Sequence, residues 1–486
     1  MSKLTFFIRN NPLFNLFDKF LGSYLYISIV ALSSFIIWII GFFSIDVSLI
    51  LFAIIYTILC ILCITFAKDG KAFWPIICCI MFSFKDLPDT GRLPIEFIYM
   101  ISFGALSIIL FALKKYFIFK NIKQTFGQMN KSLLLICFLL VLSNIVNILS
   151  FKSDNNMNGV LFALLCVGFT FLSIVLNITS NTNNENYKKD YLNYIFVFMQ
   201  IILIVELITS ITMSYIEKGS IDYTLMNLGW GNRATYAKLA CISTIFIYFQ
   251  FIKNPKKNYL LLVLLLLGII PIFIINSRGG QGAIFGIIIF MVIYPFSRYK
   301  NNIIKIKLSS ILMICSLILC SILILFPQII EFTFKRLIEE GVGPNGRVEI
   351  YEEILPTIFG SPLRTFFGGS TIYLYDVSPL LNVNKGVTFF LCHNTFLTFF
   401  ATLGLLGVVA FFLHEFELIY DVYKYNKGEE RTLLLVLLAY TFLLGLIDNT
   451  QFELSFSIPL IIIFANMPYT KNKYFGYKLN KSNLSI

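Results

Sequence analysis

The sequence predicts an all-α, polytopic transmembrane protein, and three observations carry that expectation. The 486 residues are 58% hydrophobic and only 13% charged, with a mean hydropathy of +0.82. A soluble domain carries roughly 25% charged residues. The apolar residues fall in runs suited to membrane crossing, which takes about 20 residues per helix for ~30 Å of hydrocarbon. The basic residues alternate between successive loops, as the positive-inside rule asks of a multi-pass chain. Residues 1–486 therefore read as a single transmembrane domain, not as the three soluble domains that ~150 residues apiece would suggest.

Taken in order, the apolar runs lie near 24–43, 48–66, 73–84, 95–113, 132–149, 159–178, 191–214, 234–252, 258–275, 283–296, 306–327, 389–413, 432–447 and 452–467. They give about 12–14 spanning helices, the third and tenth being short enough to be tilted, extended into their loops or partly re-entrant. The first run is long enough to span and is followed by many more, so no cleavable signal peptide is expected. Residues 328–388, between the eleventh and twelfth spans, form a large extracytoplasmic loop. A loop of that length in a compact fold is functional or disordered. Its aromatic residues, Gly–Pro punctuation and amphipathic stretch from Arg347 to Phe359 favour an ordered cap.

The loop charges set the orientation. Both termini and every second loop together hold 26 Lys or Arg, among them Lys114, Lys115, Lys120, Lys123 and Lys131, while the opposite set holds 11. Both termini are therefore expected in the cytoplasm. The net charge of +12 is a topology signal, and no nucleic-acid partner is expected. Nine of the ten cysteines lie inside apolar runs and read as small buried hydrophobes; Cys392 alone approaches an aqueous boundary. The abundance of Ile, Lys, Asn and Phe points to an AT-rich, bacterial genome, hence to the cytoplasmic (inner or plasma) membrane of a bacterium.

Five features fall on the outer side. Gly229-Trp230-Gly231-Asn232-Arg233 stands at the mouth of the eighth span, and Asn276-Ser277-Arg278-Gly279-Gly280-Gln281-Gly282 joins the ninth and tenth. Gly346-Arg347-Val348-Glu349-Ile350-Tyr351 lies in the large loop, and Cys392-His393-Asn394 opens the twelfth span. Glu206 and Lys238 sit in the outer halves of their own spans. Each has a plainer reading. A single interfacial Arg snorkels to headgroup phosphates. Arg347 and Glu349 can decorate the wet face of a cap helix, and His393 can be an idle interfacial histidine. Glu206 and Lys238 can neutralise one another, since unpaired charges inside a membrane are costly. His414, near the cytoplasmic end of the twelfth span, reads as structural. Convergence moves the balance: three arginines and the single outward histidine share one membrane surface. Guanidinium groups suit bidentate contacts to phosphate, and a neutral imidazole can take a proton from an attacking hydroxyl. Such a set suits transfer from a diphosphate-linked donor, with no metal or other cofactor called for.

The stretch from His393 to Gly407 reads His-Asn, nine residues, Gly, two residues, Gly. It resembles the signature of the O-antigen ligase and polymerase superfamily of bacterial surface polysaccharide assembly. Ser277-Arg278-Gly279-Gly280 is similar to that family's Ser-Arg-Gly element. Gly346-Arg347, with Glu349 and Tyr351, is similar to its large-loop Gly-Arg motif. The resemblance covers about residues 225–450. It implies a GT-C-like fold and a metal-independent, inverting glycosyl transfer from an undecaprenyl-diphosphate-linked glycan, giving O-antigen, capsule or exopolysaccharide. On this chain His393 would be the base that activates the acceptor hydroxyl. Arg278 would bind the donor diphosphate with Arg233 and Arg347, and Glu349 would join the substrate site. Gly404 and Gly407 would let neighbouring helices approach closely. Membrane lipid, a chain-length regulator and a flippase of the same pathway are the implied partners. Polymerase is preferred over ligase, which would transfer the glycan to lipid A core or another acceptor. A lipid-linked oligosaccharide flippase is the reading from another class, and a structural scaffold a third; the lack of visible inverted halves counts against the flippase.

Overall fold

A computed structural model describes residues 11–80, 83, 95–119, 128–151, 156–180, 186–187, 190–219, 233–253, 259–274, 278–298, 310, 313, 317, 347–371, 394–446, 460 and 462–463. Every regular element among them is helical. In chain order they are α1 (Pro12–Leu21), α2 (Tyr24–Phe43), α3 (Ile45–Phe66), α4 (Phe73–Ile80), α5 (Ile95–Lys114), α6 (Gln128–Ser150), α7 (Asn156–Thr179), α8 (Tyr191–Lys218), α9 (Arg233–Lys253), α10 (Tyr259–Ile274), α11 (Arg278–Arg298), α12 (Arg347–Phe359), α13 (Pro362–Phe367), α14 (Thr395–Tyr425) and α15 (Gly428–Gly445). Five of the described helices are both long and apolar enough to cross a membrane, over Tyr24–Phe43, Ile45–Phe66, Lys131–Ser150, Tyr191–Ile216 and Thr395–Lys424. The protein is an all-α polytopic membrane protein, as the composition required.

Local sequence explains the turns. Ser44 alone separates α2 from α3: its N–H reaches Ile40 O at the end of one helix, and its hydroxyl accepts from Val47 N at the start of the next. A serine at N-cap satisfies one of the orphan N–H groups of a first turn. On α2 and α3 the residues Leu32, Ile36, Ile54 and Ile58 are exposed, while Trp38, Phe52 and Cys63 are buried. Both faces are apolar, as expected of a helix with lipid on one side and protein on the other.

The short third run forms a one-turn 3-10 helix (Gly70–Ala72) followed by the eight-residue α4. Eight residues rise about 12 Å, less than half the hydrocarbon thickness. Trp74, Cys78 and Cys79 are fully buried, so α4 is an internal half-helix over its described length. The eleventh and fourteenth expected spans lie almost wholly outside the described residues. The twelfth begins later and runs further than the hydropathy suggested, from Thr395 to Tyr425.

One end of the bundle is lysine-rich. Lys114 Nζ donates to Ile64 O (2.6 Å), Thr65 O (3.0 Å) and Ala67 O (2.7 Å), closing the carbonyl end of α3. Lys115 Nζ does the same for Thr179 O at the end of α7. Burial holds the Lys71 and Lys115 amines below the usual lysine range, opposed by the Asp69 carboxylate. The amphipathic α1 is fastened here through the buried Asp18, which accepts from Lys68 N (2.8 Å) and Asn186 Nδ2 (2.6 Å), and through Phe17 stacked on Phe66. The seven described cysteines, Cys60, Cys63, Cys78, Cys79, Cys137, Cys166 and Cys241, are free and buried, as small hydrophobes should be.

Candidate site at the helix starts

The backbone puts the expected site residues at equivalent places. Arg233 is the first residue of α9, Arg278 of α11 and Arg347 of α12, with Glu349 two residues further on. His393 immediately precedes Asn394, the N-cap of α14. The side chains of Arg233, Arg278, Arg347 and Glu349, and the whole of His393, lie outside what the structure describes. Their helices are well described, and the packing of those helices decides which ends come together.

Three contacts align the starts of α9, α11 and α14 with the end of α15. Cys241 Sγ lies 4.0 Å from Gly280 O, two residues into α11. Tyr440 of α15 donates to Lys238 O of α9 (3.2 Å). Asn394 Nδ2 donates to Leu446 O, just beyond α15 (2.9 Å). At the far end of the same helices Arg298 Nη2 meets Glu429 Oε1 at 2.8 Å. So α9, α11 and α14 run in one direction, α15 returns against them, and three helix starts share one end. Helix starts present unpaired N–H groups and the positive end of the dipole, a favourable setting for anions. The cap joins this end: Tyr351, Ile354 and Ile358 of α12 pack on Leu397, Phe400 and Ala401 of α14.

The His-Asn-x9-Gly spacing acquires a structural meaning. The Asn394 side chain accepts from Leu397 N (3.0 Å) as an N-cap. Residues 395–403 then form nine residues of helix, and Gly404 breaks it with φ 65° and ψ −158°. Gly404 does admit a neighbour, the Phe366–Gly368 backbone at the end of α13, which an added Cβ would overlap; beyond that expectation, it also breaks the helix, so that α14 is two helices joined at this residue. The break leaves carbonyls without their intrahelical donors. Ala401 O accepts from Gly369 N (2.7 Å) and Thr402 O from Ser143 Oγ (2.7 Å). Gly368, itself at φ 75°, lies against Thr402 and Leu403, where a Cβ would overlap their backbone.

An apolar groove of about 350 Å³ opens between α11 and α15. Gly282, Gly286 and Phe290 line one wall, and Val436, Ala439 and Leu443 the other. Gly282 and Gly286 face open space. Gly282 is four residues past Arg278, about 6 Å along the axis, so the groove begins just below the helix starts. A second cavity of about 390 Å³, with Lys253, Lys427 and Glu429 on its wall, lies at the opposite end of the bundle.

Glu206 and Lys238 do not form the expected pair among the described residues. Glu206 is fully buried and neither carboxylate oxygen has a hydrogen-bond partner. Tyr236 of α9 faces α8, donating to Leu203 O at 2.6 Å. Two residues turn a helix by ~200°, which carries Lys238 away from that seam. His414 is structural, as expected: it is buried, with Nδ1 2.8 Å from Ser132 Oγ. Sequence reasoning missed Ser143, Asn144 and Asn147 on α6, whose signal was present as three polar residues within two turns of an apolar span. Among the described residues no group of three His, Cys, Asp or Glu side chains is placed to hold a metal ion.

Residues 260–412 match the family model described as O-antigen ligase. The matched segment holds Arg278, Arg347, Glu349 and His393, while Arg233 precedes it. No curated protein matches the chain.

Proposed function

We propose that this chain, whose residues 260–412 match the O-antigen ligase family model, joins lipid-diphosphate-linked oligosaccharide repeat units into a surface polysaccharide at the outer face of the membrane. Glycan transfer in polysaccharide synthesis is the work of that family; the polymerase reaction, the undecaprenyl-diphosphate donor and the residue roles are this proposal's own. The observation that carries it is the gathering of three helix starts directly above an apolar groove. The arrangement suits a substrate with an anionic head and a long apolar tail, the head against the N–H ends of α9, α11 and α14 and the tail along Gly282 and Gly286.

In the reaction His393 takes the proton of the acceptor hydroxyl as its oxygen attacks the anomeric carbon. The bond from that carbon to the diphosphate breaks on the opposite face, so the configuration inverts, and the lipid diphosphate leaves with the electron pair. Arg278, assisted by Arg233 and Arg347, balances the charge on the departing group, a contribution that grows toward the transition state. Glu349, two residues after Arg347 on the same helix, joins the substrate site. His393 then returns its proton to solvent. The active end faces outward and both termini lie in the cytoplasm, an orientation supported by the 26 to 11 split of basic residues between the loop sets. Residues 328–388 supply the cap.

The deciding experiment gives purified, lipid-reconstituted protein only lipid-linked repeat units. A ladder of lengthening products supports the polymerase; product only when a different acceptor is added assigns the ligase reaction instead. A narrower expectation concerns the groove. Gly286→Leu adds side chain where nothing lies within 4 Å of a Cβ, and replacing a mid-helix Gly does not weaken the helix. The variant should fold normally and raise KM for the long-tailed donor by roughly tenfold, equivalent to ~1.4 kcal/mol. A short-tailed donor should be unaffected, and an equal change for both donors would remove the groove from the proposal.

A further inference from the structure

The polar residues of α6 belong to a part of the chain that no motif reaches, and they meet the broken helix at its break. Ser143, Asn144 and Asn147 are all buried. Ser143 Oγ donates to Thr402 O (2.7 Å), and Asn147 Nδ2 donates to Gly368 O (3.0 Å). Asn144 Oδ1 accepts from Thr371 Oγ1 (3.0 Å). These three side chains therefore hold the end of the 395–403 helix and the chain leaving α13. Those two segments are also tied to each other by Gly369 N to Ala401 O. Arg364 of α13 extends the contact, its guanidinium 4.0 Å from the Phe151 ring centre just past the end of α6.

The backbone here takes conformations that side-chain-bearing residues avoid. Gly368 (φ 75°), Ser370 (φ 60°) and Gly404 (φ 65°) meet at this one place, and Ser370 is the only non-glycine with positive φ among the described residues. Glycine enters this region at no steric cost, whereas Ser370, a non-glycine, persists there only because surrounding structure over-determines it. Three side-chain bonds from a continuous helix provide that surrounding structure. The break also means that residues 395–403 do not inherit their direction from the long inner half of α14. Their aim, and with it that of the Asn394 cap, is set by contacts at Gly404.

Resting on the glycan-transfer reading, we propose that Ser143, Asn144 and Asn147 are positioning residues that clamp the cap to the broken helix and fix His393 and Arg347 relative to each other. None of the three touches substrate; each acts through Gly368, Thr371 or Thr402. A base displaced by about 1 Å can lose on the order of a hundredfold in rate, so the clamp acts on turnover more than on donor binding, which α9, α11 and the groove wall on α15 sustain through contacts away from the clamp.

The experiment uses the full-length protein in lipid nanodiscs, with Asn147→Ala and the milder Ser143→Ala, which removes a single hydroxyl bond. Hydrogen–deuterium exchange is read over residues 362–371 and 395–404, with α2 and α3 as internal reference. Both variants should exchange several-fold faster in the two clamp segments and unchanged in the reference helices. In the transfer assay kcat should fall between roughly tenfold and a hundredfold, with KM for the lipid-linked donor within about twofold of the parent. Unchanged exchange in the clamp segments, or faster exchange throughout the chain, overturns the clamp. Faster local exchange with full kcat overturns the positioning role. Full activity of His393→Ala would instead bring down the catalytic reading, while the exchange arm still decides the clamp by itself.

Discussion

His393→Ala is expected to insert and fold like the parent and to lose glycan transfer by about 10²–10⁴-fold, the usual contribution of a positioned general base. In sequence the residue comes one position before the Asn394 cap, so its substitution takes away no backbone bond within α14. Asn394 retains its bonds to Leu397 N and Leu446 O, and the unfolding temperature in detergent should be unchanged. The test compares product formation at saturating donor with monodispersity and melting of the same preparation. Normal turnover would exclude His393 as the base. Lost turnover with a collapsed melting curve would assign it a structural role instead.

Gly404→Ala should be among the most damaging single methyls in the described structure. The residue sits at φ 65° and ψ −158°, a region essentially confined to glycine. An added Cβ would also overlap the Phe366 carbonyl and the Gly368 backbone, neither of which is a flexible side chain. Strain alone is worth about 1–3 kcal/mol, and the overlap adds to it, so a loss of at least ~3 kcal/mol is expected. Gly286→Ala is the control: its Cβ meets nothing within 4 Å, and the exchange should be neutral or stabilising by up to ~1 kcal/mol. Equal melting temperatures for the two variants would mean that Gly404 is an ordinary helical glycine.

The comparison shows what a sequence of this kind displays and what it hides. The spans were legible because crossing hydrocarbon imposes a length and a polarity that nothing else in the chain imitates. The turn at Ser44 was equally accessible, since a serine between two apolar runs has a mechanical reason to be there. The broken helix was not. A glycine inside an apolar run looks the same whether it only admits a neighbour or also ends its own helix, and the segment it meets, Phe366–Gly368, is remote in sequence. Glu206 and Lys238 misled for a related reason. Their common depth in the membrane is readable from hydropathy, but the rotation of α9 that turns Tyr236 toward α8 is set by packing against Phe196 and Leu203. For the candidate site, the residues were named from the sequence, and the structure puts the backbone of Arg233, Arg278 and Arg347 at the starts of α9, α11 and α12. The α6 clamp was visible as Ser143, Asn144 and Asn147, yet its meaning depended on two segments more than two hundred residues further along.

The lysines that end α5 bear on how the orientation of this chain is put to experiment. Charge-swap scans usually treat the basic residues of a loop as interchangeable counters. Lys114 and Lys115 are not, because their ammonium groups complete the carbonyl ends of α3 and α7. Reversing either would unfasten two helices while changing the count by one, and an inverted or degraded product could not be traced to either cause. Lys131, exposed at the start of the next span, has no such second duty and is the site at which the charge rule can be tested alone.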